Sequence, residues 1–341
     1  MLSDIDFWMP FSRRIHLETT AAVERHLAWM RRTGLLRSEA ATERYRSWHP
    51  AEIAGRWFPA VSGADLDLAC DYFGWFFMFD DQFDSARGRD PQTVAAEVGS
   101  LADLLHAGPG AALSAGVPLG TALADIWSRL CDGMSPWWPD RARQHWEQYL
   151  LVHIQEAANR RDDVWLSVQE YLDVRYSSGF VPPLWDAIER IWRCEVPREI
   201  YDSPELCTMR DVANLNICIV NDVYSLAKEE ARGDRHNLVL VVERQQACSR
   251  AEALESVRSM ADGWTRTFLA TETQIPGVCD RLGISPESRL PVFRFIEGMR
   301  AAIRGNYDWC SSTARYHGRT IPPDQPGYLE DGFTAGPRRD V

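Results

Sequence analysis

The 341-residue chain is 45% hydrophobic and 25% charged, carries 14 Trp and has a formal net charge of −12. This composition suits an ordinary globular protein of one large domain or two, with enough apolar side chain for a substantial core. The acidic balance argues against a nucleic-acid surface, which clusters Lys and Arg, and the longest apolar run, residues 72–79, is far too short to span a membrane.

The N-terminus, with Asp4 and Asp6, lacks the basic-then-apolar layout of a secretion signal. None of the eight cysteines falls in a C-x-x-C pair, which excludes a zinc ribbon and favours reduced, buried thiols in a cytoplasmic protein. There is no H-E-x-x-H, no G-x-G-x-x-G and no P-loop sequence, so zincin, dinucleotide and P-loop chemistry have no foothold.

Apolar residues spaced three and four apart predict helices over residues 19–33, 66–84, 120–132, 141–159, 165–178, 205–232, 249–273 and 289–316. No β alternation, hairpin signal or repeat interrupts them. The fold class expected is therefore all-α, in one domain over residues 1–317. Residues 318–341 hold four Pro and four Gly and are expected to be a mobile tail.

The 66–84 helix ends in Asp80-Asp81-Gln82-Phe83-Asp84. At 100° per residue, Asp80 and Asp84 lie about 40° apart and Asp81 about 100° from Asp80. Phe73, Phe76 and Phe77 stack on the Asp80 face, an aromatic wall leading to carboxylates. A D-D-x-x-D alone equally describes a helix running out of the core into solvent; the wall is what favours a cavity with a metal rim. Next, the 165–178 helix carries Arg175 and Ser178, and Gly179 with Pro182 and Pro183 marks its break.

The 205–232 helix reaches Asn221, Ser225 and Glu229, which step by four and share one face. A carbonyl oxygen, a hydroxyl and a carboxylate are hard donors suited to Mg²⁺. Two such oxygen faces make a cage for hard cations in apolar surroundings. The 289–316 helix contributes Asn306, Trp309, Arg315 and Tyr316 near its end.

With these residues in this order, the chain resembles the bacterial class I terpene synthases from about Trp8 to Tyr316. In that family an aspartate-rich motif faces an N-D-x-x-S-x-x-x-E motif across a helical bundle around a central active-site cavity. The resemblance implies that Asp80, Asp84, Asn221, Ser225 and Glu229 bind three Mg²⁺ ions. It implies that Arg175, Lys228, Arg315 and Tyr316 bind the diphosphate of an isoprenoid substrate. Arg175 takes the place of a diphosphate sensor 46 residues before Asn221. Ser178 takes that of a linker, often Asp in relatives, and Gly179 that of an effector whose carbonyl reaches the substrate. Phe73, Phe76 and Phe77, with Trp185 and Trp309, are the expected cavity lining.

The reaction implied is cyclisation of farnesyl diphosphate to a sesquiterpene, with geranylgeranyl diphosphate and a diterpene as the alternative. A chain-elongating prenyltransferase would carry a second aspartate-rich motif where Asn221, Ser225 and Glu229 stand. A non-enzymatic helical scaffold gives no reason for Arg175, Lys228 and Arg315 to converge. Neither nucleic acid nor membrane insertion is expected, and a homodimer is left open. Residues 233–237 are expected to be mobile without ligand, and residues 7–10 to act as a hydrophobic lid.

Overall fold

Sixteen α-helices and no strand are present among the described residues, 5–111, 116–317 and 330–334 of the computed structural model. In chain order they are α1 (Thr19–Arg32), α2 (Glu39–Ser47), α3 (Pro50–Trp57), α4 (Gly63–Asp80), α5 (Pro91–Ala107), α6 (Pro118–Cys131) and α7 (Trp138–Arg161). There follow α8 (Val168–Ser178), α9 (Val181–Ile191), α10 (Arg198–Tyr201), α11 (Pro204–Arg232), α12 (Leu238–Gln246), α13 (Arg250–Glu272), α14 (Ile275–Arg281), α15 (Pro286–Cys310) and α16 (Ala314–His317). The chain sorts into two compact units. One comprises His16–Gly55, Ala60–Asp162 and the described residues from Thr313 on; the other holds the described part of Met1–Ile15, with Arg56–Pro59 and Asp163–Ser312.

Serine starts five of the longer helices, for the physical reason that its hydroxyl accepts one of the unbonded first-turn N–H groups. Ser62 caps α4, Ser203 caps α11 and Ser285 caps α15. Ser167 with Glu170 and Ser249 with Glu252 form reciprocal capping boxes on α8 and α13. Helix α5 lies outside the helices expected from periodicity, although Asp90 ahead of Pro91 is a start signal and does cap it.

In the first unit α4 is uncharged from Tyr72 to Phe79 and is buried over most of its length. Its Trp75 stacks on Phe79 at 4.8 Å between ring centroids, and Phe76 meets Trp146 and Tyr149 of α7, both at 5.0 Å. One buried charge is tied in behind this wall. Asp71 Oδ1 lies 2.8 Å from His26 Nδ1 and Oδ2 accepts from Arg129 Nη2 at 2.9 Å, while His26 Nε2 meets the Tyr45 hydroxyl at 2.8 Å. In the second unit α11 packs against α8, α9, α13 and α15. Asn216 Nδ2 donates to the Ala261 carbonyl and Asn306 Nδ2 to that of Ile217, which joins α13 and α15 to it.

Three expectations are corrected. The helix expected to run to residue 84 stops at Asp80, and Asp81–Asp84 forms a 3₁₀ turn. Gln82 is the cause: its side-chain Nε2 donates to the Met78 carbonyl at 3.0 Å, the acceptor that a continuing helix would give to the Gln82 amide. The helix expected over 289–316 breaks after Cys310. Ser311 and Ser312 both turn their hydroxyls onto the Asp308 carbonyl, and Thr313 donates to the Trp48 carbonyl instead. The expected tail, 318–341, lies outside the described residues except for 330–334. Of those five, 330–333 are packed, with Gly332 buried and Phe333 against Phe79 and Phe83, and Thr334 is exposed.

Removing the buried Asp71 leaves His26 and Arg129 without their shared acceptor. Asp71→Ala is expected to destabilise the fold by about 2–4 kcal/mol, read as a lowered thermal midpoint with helical content intact at low temperature. A midpoint within a degree of the parent would show that this network carries no stability.

Candidate active site

The second unit holds the Asn221–Ser225–Glu229 face. Its organising group is a neighbour, Asp222, which has no solvent exposure. Asp222 Oδ2 accepts from the Tyr171 hydroxyl at 2.6 Å and from the Leu238 amide at 3.1 Å; Oδ1 accepts from Arg175 Nε at 3.0 Å. Burial and the Asp222 charge push the Tyr171 hydroxyl well above its ordinary pKa, so it stays a donor. Arg175 also reaches Asn221, its Nη2 donating to Oδ1 at 2.9 Å. The side chains of Asn221 and Arg175 are therefore brought together directly.

Asn237 completes the face. It is fully buried, and its Nδ2 donates both to the Asp222 carbonyl and to Glu229 Oε2, each at 2.7 Å. Ser225 bonds to Glu229 as well, so the hydroxyl and the carboxylate share one spot. The loop 233–237, expected to be mobile without ligand, is tied at its last residue by Asn237, the N-cap of α12. An Asn directly before an apolar run is the sequence signal that would have found it. Lys228, on the same helix, is half-buried.

Burial, and then the negative charge of Asp222, pushes the Glu229 carboxyl up to about 7. A carboxyl that strained for neutrality, next to a carbonyl oxygen and a hydroxyl, fits a hard divalent cation, whose charge would relieve it. Among the described residues no three His, Cys, Asp or Glu side chains form a metal cluster. The oxygens of Asn221 and Ser225 are then needed to complete any set on this face.

Gly179 follows Arg175 by four residues, and its amide donates to the Arg175 carbonyl at 2.9 Å. A Cβ there would lie 2.1 Å from Cys218 Sγ, so only glycine allows α8 to close on α11. The break falls one residue later, where Phe180 takes a left-handed φ of 69° and α9 begins with Pro182 and Pro183 behind it. Ser178 is buried and its Oγ has no partner among the described residues, so no hydrogen-bonded relay passes through the expected linker. Trp185 and Trp309 are each 1% exposed.

In the first unit, Arg315 lies with the aspartates. It forks onto Asp81, Nη1 to Oδ2 at 2.9 Å and Nη2 to Oδ1 at 2.7 Å, and Nη2 also donates to Asp80 Oδ2 at 3.0 Å. Its guanidinium sits 4.7 Å from the Trp48 ring and 5.0 Å from that of Phe77. Asp81 is buried at 2% exposure, whereas the Asp80 side chain is 57% exposed. Asp84 and Tyr316 are half-buried. The 40° separation expected for Asp80 and Asp84 does not hold, because the 3₁₀ turn advances about 120° per residue. Phe73 and Phe77 stack at 6.5 Å, while Phe76 turns into the α7 contact.

The N-terminal segment packs on its own unit: Phe7 meets Tyr307 edge-on, the Trp8 amide donates to Asp262 and Phe11 meets Phe268. No described helix is long and apolar enough to cross a membrane.

The chain is all-α and holds two groups of oxygen donors, each beside an arginine, an arrangement suited to hard cations together with an anion. Residues 71–267 match the family described as terpene synthase family 2, C-terminal metal binding. Pentalenene synthase of Streptomyces avermitilis is 36% identical over 334 residues, 97% of this chain and 98% of that protein. The (-)-beta-caryophyllene synthase of Saccharothrix espanaensis, which carries the description (2E,6E)-farnesyl diphosphate cyclizing, is 36% identical over 95% of this chain and 92% of its own. The crystal structure of germacradien-4-ol synthase from Streptomyces citricolor superposes with a TM-score of 0.81 at 34% identity, covering 91% of this chain and 99% of that one. The chain belongs to the bacterial class I terpene synthases and has their all-α fold.

Two substitutions test this geometry. Gly179→Ala is expected to lower the thermal midpoint by several degrees through overpacking of about 1–3 kcal/mol. Adding Cys218→Ala should restore more than half of the loss, and a double variant no better than the single would place the strain elsewhere. The second test uses the raised Glu229 carboxyl. A native pKa of about 7 against an ordinary 4.5 means that the folded state holds the extra proton between those values, so stability falls as pH rises across that window. In EDTA, Glu229→Gln is therefore expected to stabilise the protein at pH 8 by about 1–3 kcal/mol and to do little at pH 4.5. Equal effects at both pH values would contradict a buried charge at Glu229.

Proposed function

We propose that this terpene synthase is a Mg²⁺-dependent cyclase that ionises farnesyl diphosphate, closes the carbocation to a sesquiterpene and releases diphosphate. The observation carrying the metal assignment is the Asn221–Ser225–Glu229 oxygen face with its raised carboxyl. Asp80 and Asp84 would also bind Mg²⁺, with three ions in all, and residues 1–317 would make up a single catalytic domain. The farnesyl chain length is supported by the description of the caryophyllene synthase relative.

When bound, the cations would neutralise the charge that grows on the departing diphosphate. The chain's own donors do the rest. Arg175 and Arg315 now spend their guanidinium forks on Asp222, Asn221, Asp81 and Asp80. Each keeps further N–H donors for diphosphate oxygens, and Lys228 and Tyr316 would add to them. The Gly179 carbonyl would direct a dipole at the developing cation. Phe73 and Phe77 in one unit, and Trp185 and Trp309 in the other, would each offer dry aromatic surface, and each aromatic face turned toward the cation adds roughly 0.5–2 kcal/mol. Phe76 supports this lining from its packing against Trp146. No general base among the side chains is required, because the released diphosphate can take the final proton.

Incubation of the purified chain with Mg²⁺ and geranyl, farnesyl or geranylgeranyl diphosphate, read by gas chromatography, tests the assignment. The expected result is a cyclic C15 product from farnesyl diphosphate, lost in EDTA and reduced at least about 100-fold by Asp80→Ala or Glu229→Ala. Cyclic C20 product alone would replace the substrate with the geranylgeranyl chain. Undiminished turnover in EDTA would remove the metal role.

A further inference from the structure

Gln82 and Phe83 are the two members of the Asp80–Asp84 run that bring no carboxylate, and both are buried, at 8% and 5% exposure. The same short segment of the C-terminus holds both of them. The Gln82 side chain pairs with its backbone in both directions: Nε2 donates to the Glu330 carbonyl at 3.2 Å, and Oε1 accepts the Gly332 amide at 2.9 Å. Phe333 packs on Phe83 at 6.0 Å and on Phe79, one residue before Asp80, at 6.2 Å. Asp331 takes a two-point fork from Arg87, three residues past Asp84, at 3.0 and 2.6 Å. The Arg87 guanidinium in turn lies 5.6 Å from the Phe333 ring.

The segment is itself fixed at two outside points. Glu330 Oε1 accepts the Arg37 and Ser38 amides at 3.1 and 2.5 Å, and the Gly332 carbonyl accepts the Leu119 amide at 3.0 Å. Gly332 lies so close to α6 that a Cβ would come within 2.8 Å of Leu119 Cδ1. This is a built interface, not a tail lying on a surface.

A 3₁₀ turn has poor hydrogen-bond geometry and little stability of its own. The direction of the carboxylates at its two ends must come from what packs against it. We propose that residues 330–333 are a positioning element for the aspartate-rich turn, clamping Gln82 and Phe83 so that Asp80 and Asp84 present their oxygens to a divalent cation. The proposal deepens the function given above and rests on the reading of that turn as metal-binding. It assigns a role to Gln82 and Phe83, and it makes Asp331, Gly332 and Phe333 positioning residues for metal capture without touching metal or substrate.

The test uses the full chain with Gly332→Val, Asp331→Ala and Phe333→Ala, and Phe333→Tyr as the conservative control. Hydrogen exchange is followed in metal-free protein, and Mg²⁺ half-saturation is followed in turnover of farnesyl diphosphate. Releasing the clamp is expected to speed exchange at residues 81–88 while leaving 221–229 unchanged. It is also expected to raise the Mg²⁺ needed for half-maximal turnover roughly tenfold, with kcat at saturating Mg²⁺ within about twofold. Phe333→Tyr should behave as the parent. Unchanged exchange at 81–88 with unchanged Mg²⁺ half-saturation overturns the proposal, as does equal acceleration at 221–229, which would mean general destabilisation. Should Gly332→Val fail to fold, Asp331→Ala and Phe333→Ala carry the same comparison. If the parent shows no Mg²⁺-dependent turnover, the assigned function fails, while the exchange comparison still decides whether the clamp holds the turn.

Discussion

Asp222 and Asp81 are carboxylates with almost no contact with solvent, and an unpaired charge in that position costs several kcal/mol. Each is answered by a guanidinium carried on another helix, Arg175 from α8 and Arg315 from α16. That requirement fixes where α8 and α16 sit against α11 and α4 within their units. It also explains why Tyr171 and the Leu238 amide converge on Asp222, since one arginine does not exhaust the acceptor capacity of a carboxylate. The arrangement has a chemical result. Each arginine that neutralises a buried aspartate also touches a neighbouring oxygen, of Asn221 or Asp80, so N–H donors and oxygen acceptors stand side by side.

The apolar half of the design follows from the same expense. Carbocation chemistry needs surroundings without water, and the last two turns of α4 before Asp80, from Tyr72 to Phe79, carry no charged residue. The change of character is abrupt. Phe79 is buried among His153, Tyr149 and Phe83, and Asp80 after it is mostly exposed. The helix ends there, with Gln82 folding its amide back onto Met78 and the next residues turning as a 3₁₀ helix.

Glycine does comparable work at Gly179, though not through backbone freedom, since its φ is an ordinary −72°. The side chain is absent because Cys218 occupies its place. The strained position is the next one, Phe180, whose left-handed backbone turns the chain from α8 into α9. The break that the prolines signalled is real, but the residue that performs it carries no breaker signature.

The sequence by itself determined the all-α class, the central helices to within a few residues, and the Asn221–Ser225–Glu229 face, because period and spacing on a regular helix are local geometry. It also contained the N-cap signals of Asp90 and Asn237, which depend on a single turn. What it could not determine were partners distant along the chain. Asp81 reads as a surface acid until Arg315 arrives from 234 residues away. Gln82 and Phe83 read as spacers until residues 330–333 fold onto them, and a stretch rich in Pro and Gly gave no sign of doing so. The end of α4 escaped the periodicity for a more local reason, the Gln82 side chain bonding the Met78 carbonyl, although residues 330–332 hold that same side chain from afar. For the distant partners the physical reason is the same: burial energy depends on which groups meet, and only the folded chain brings those groups together.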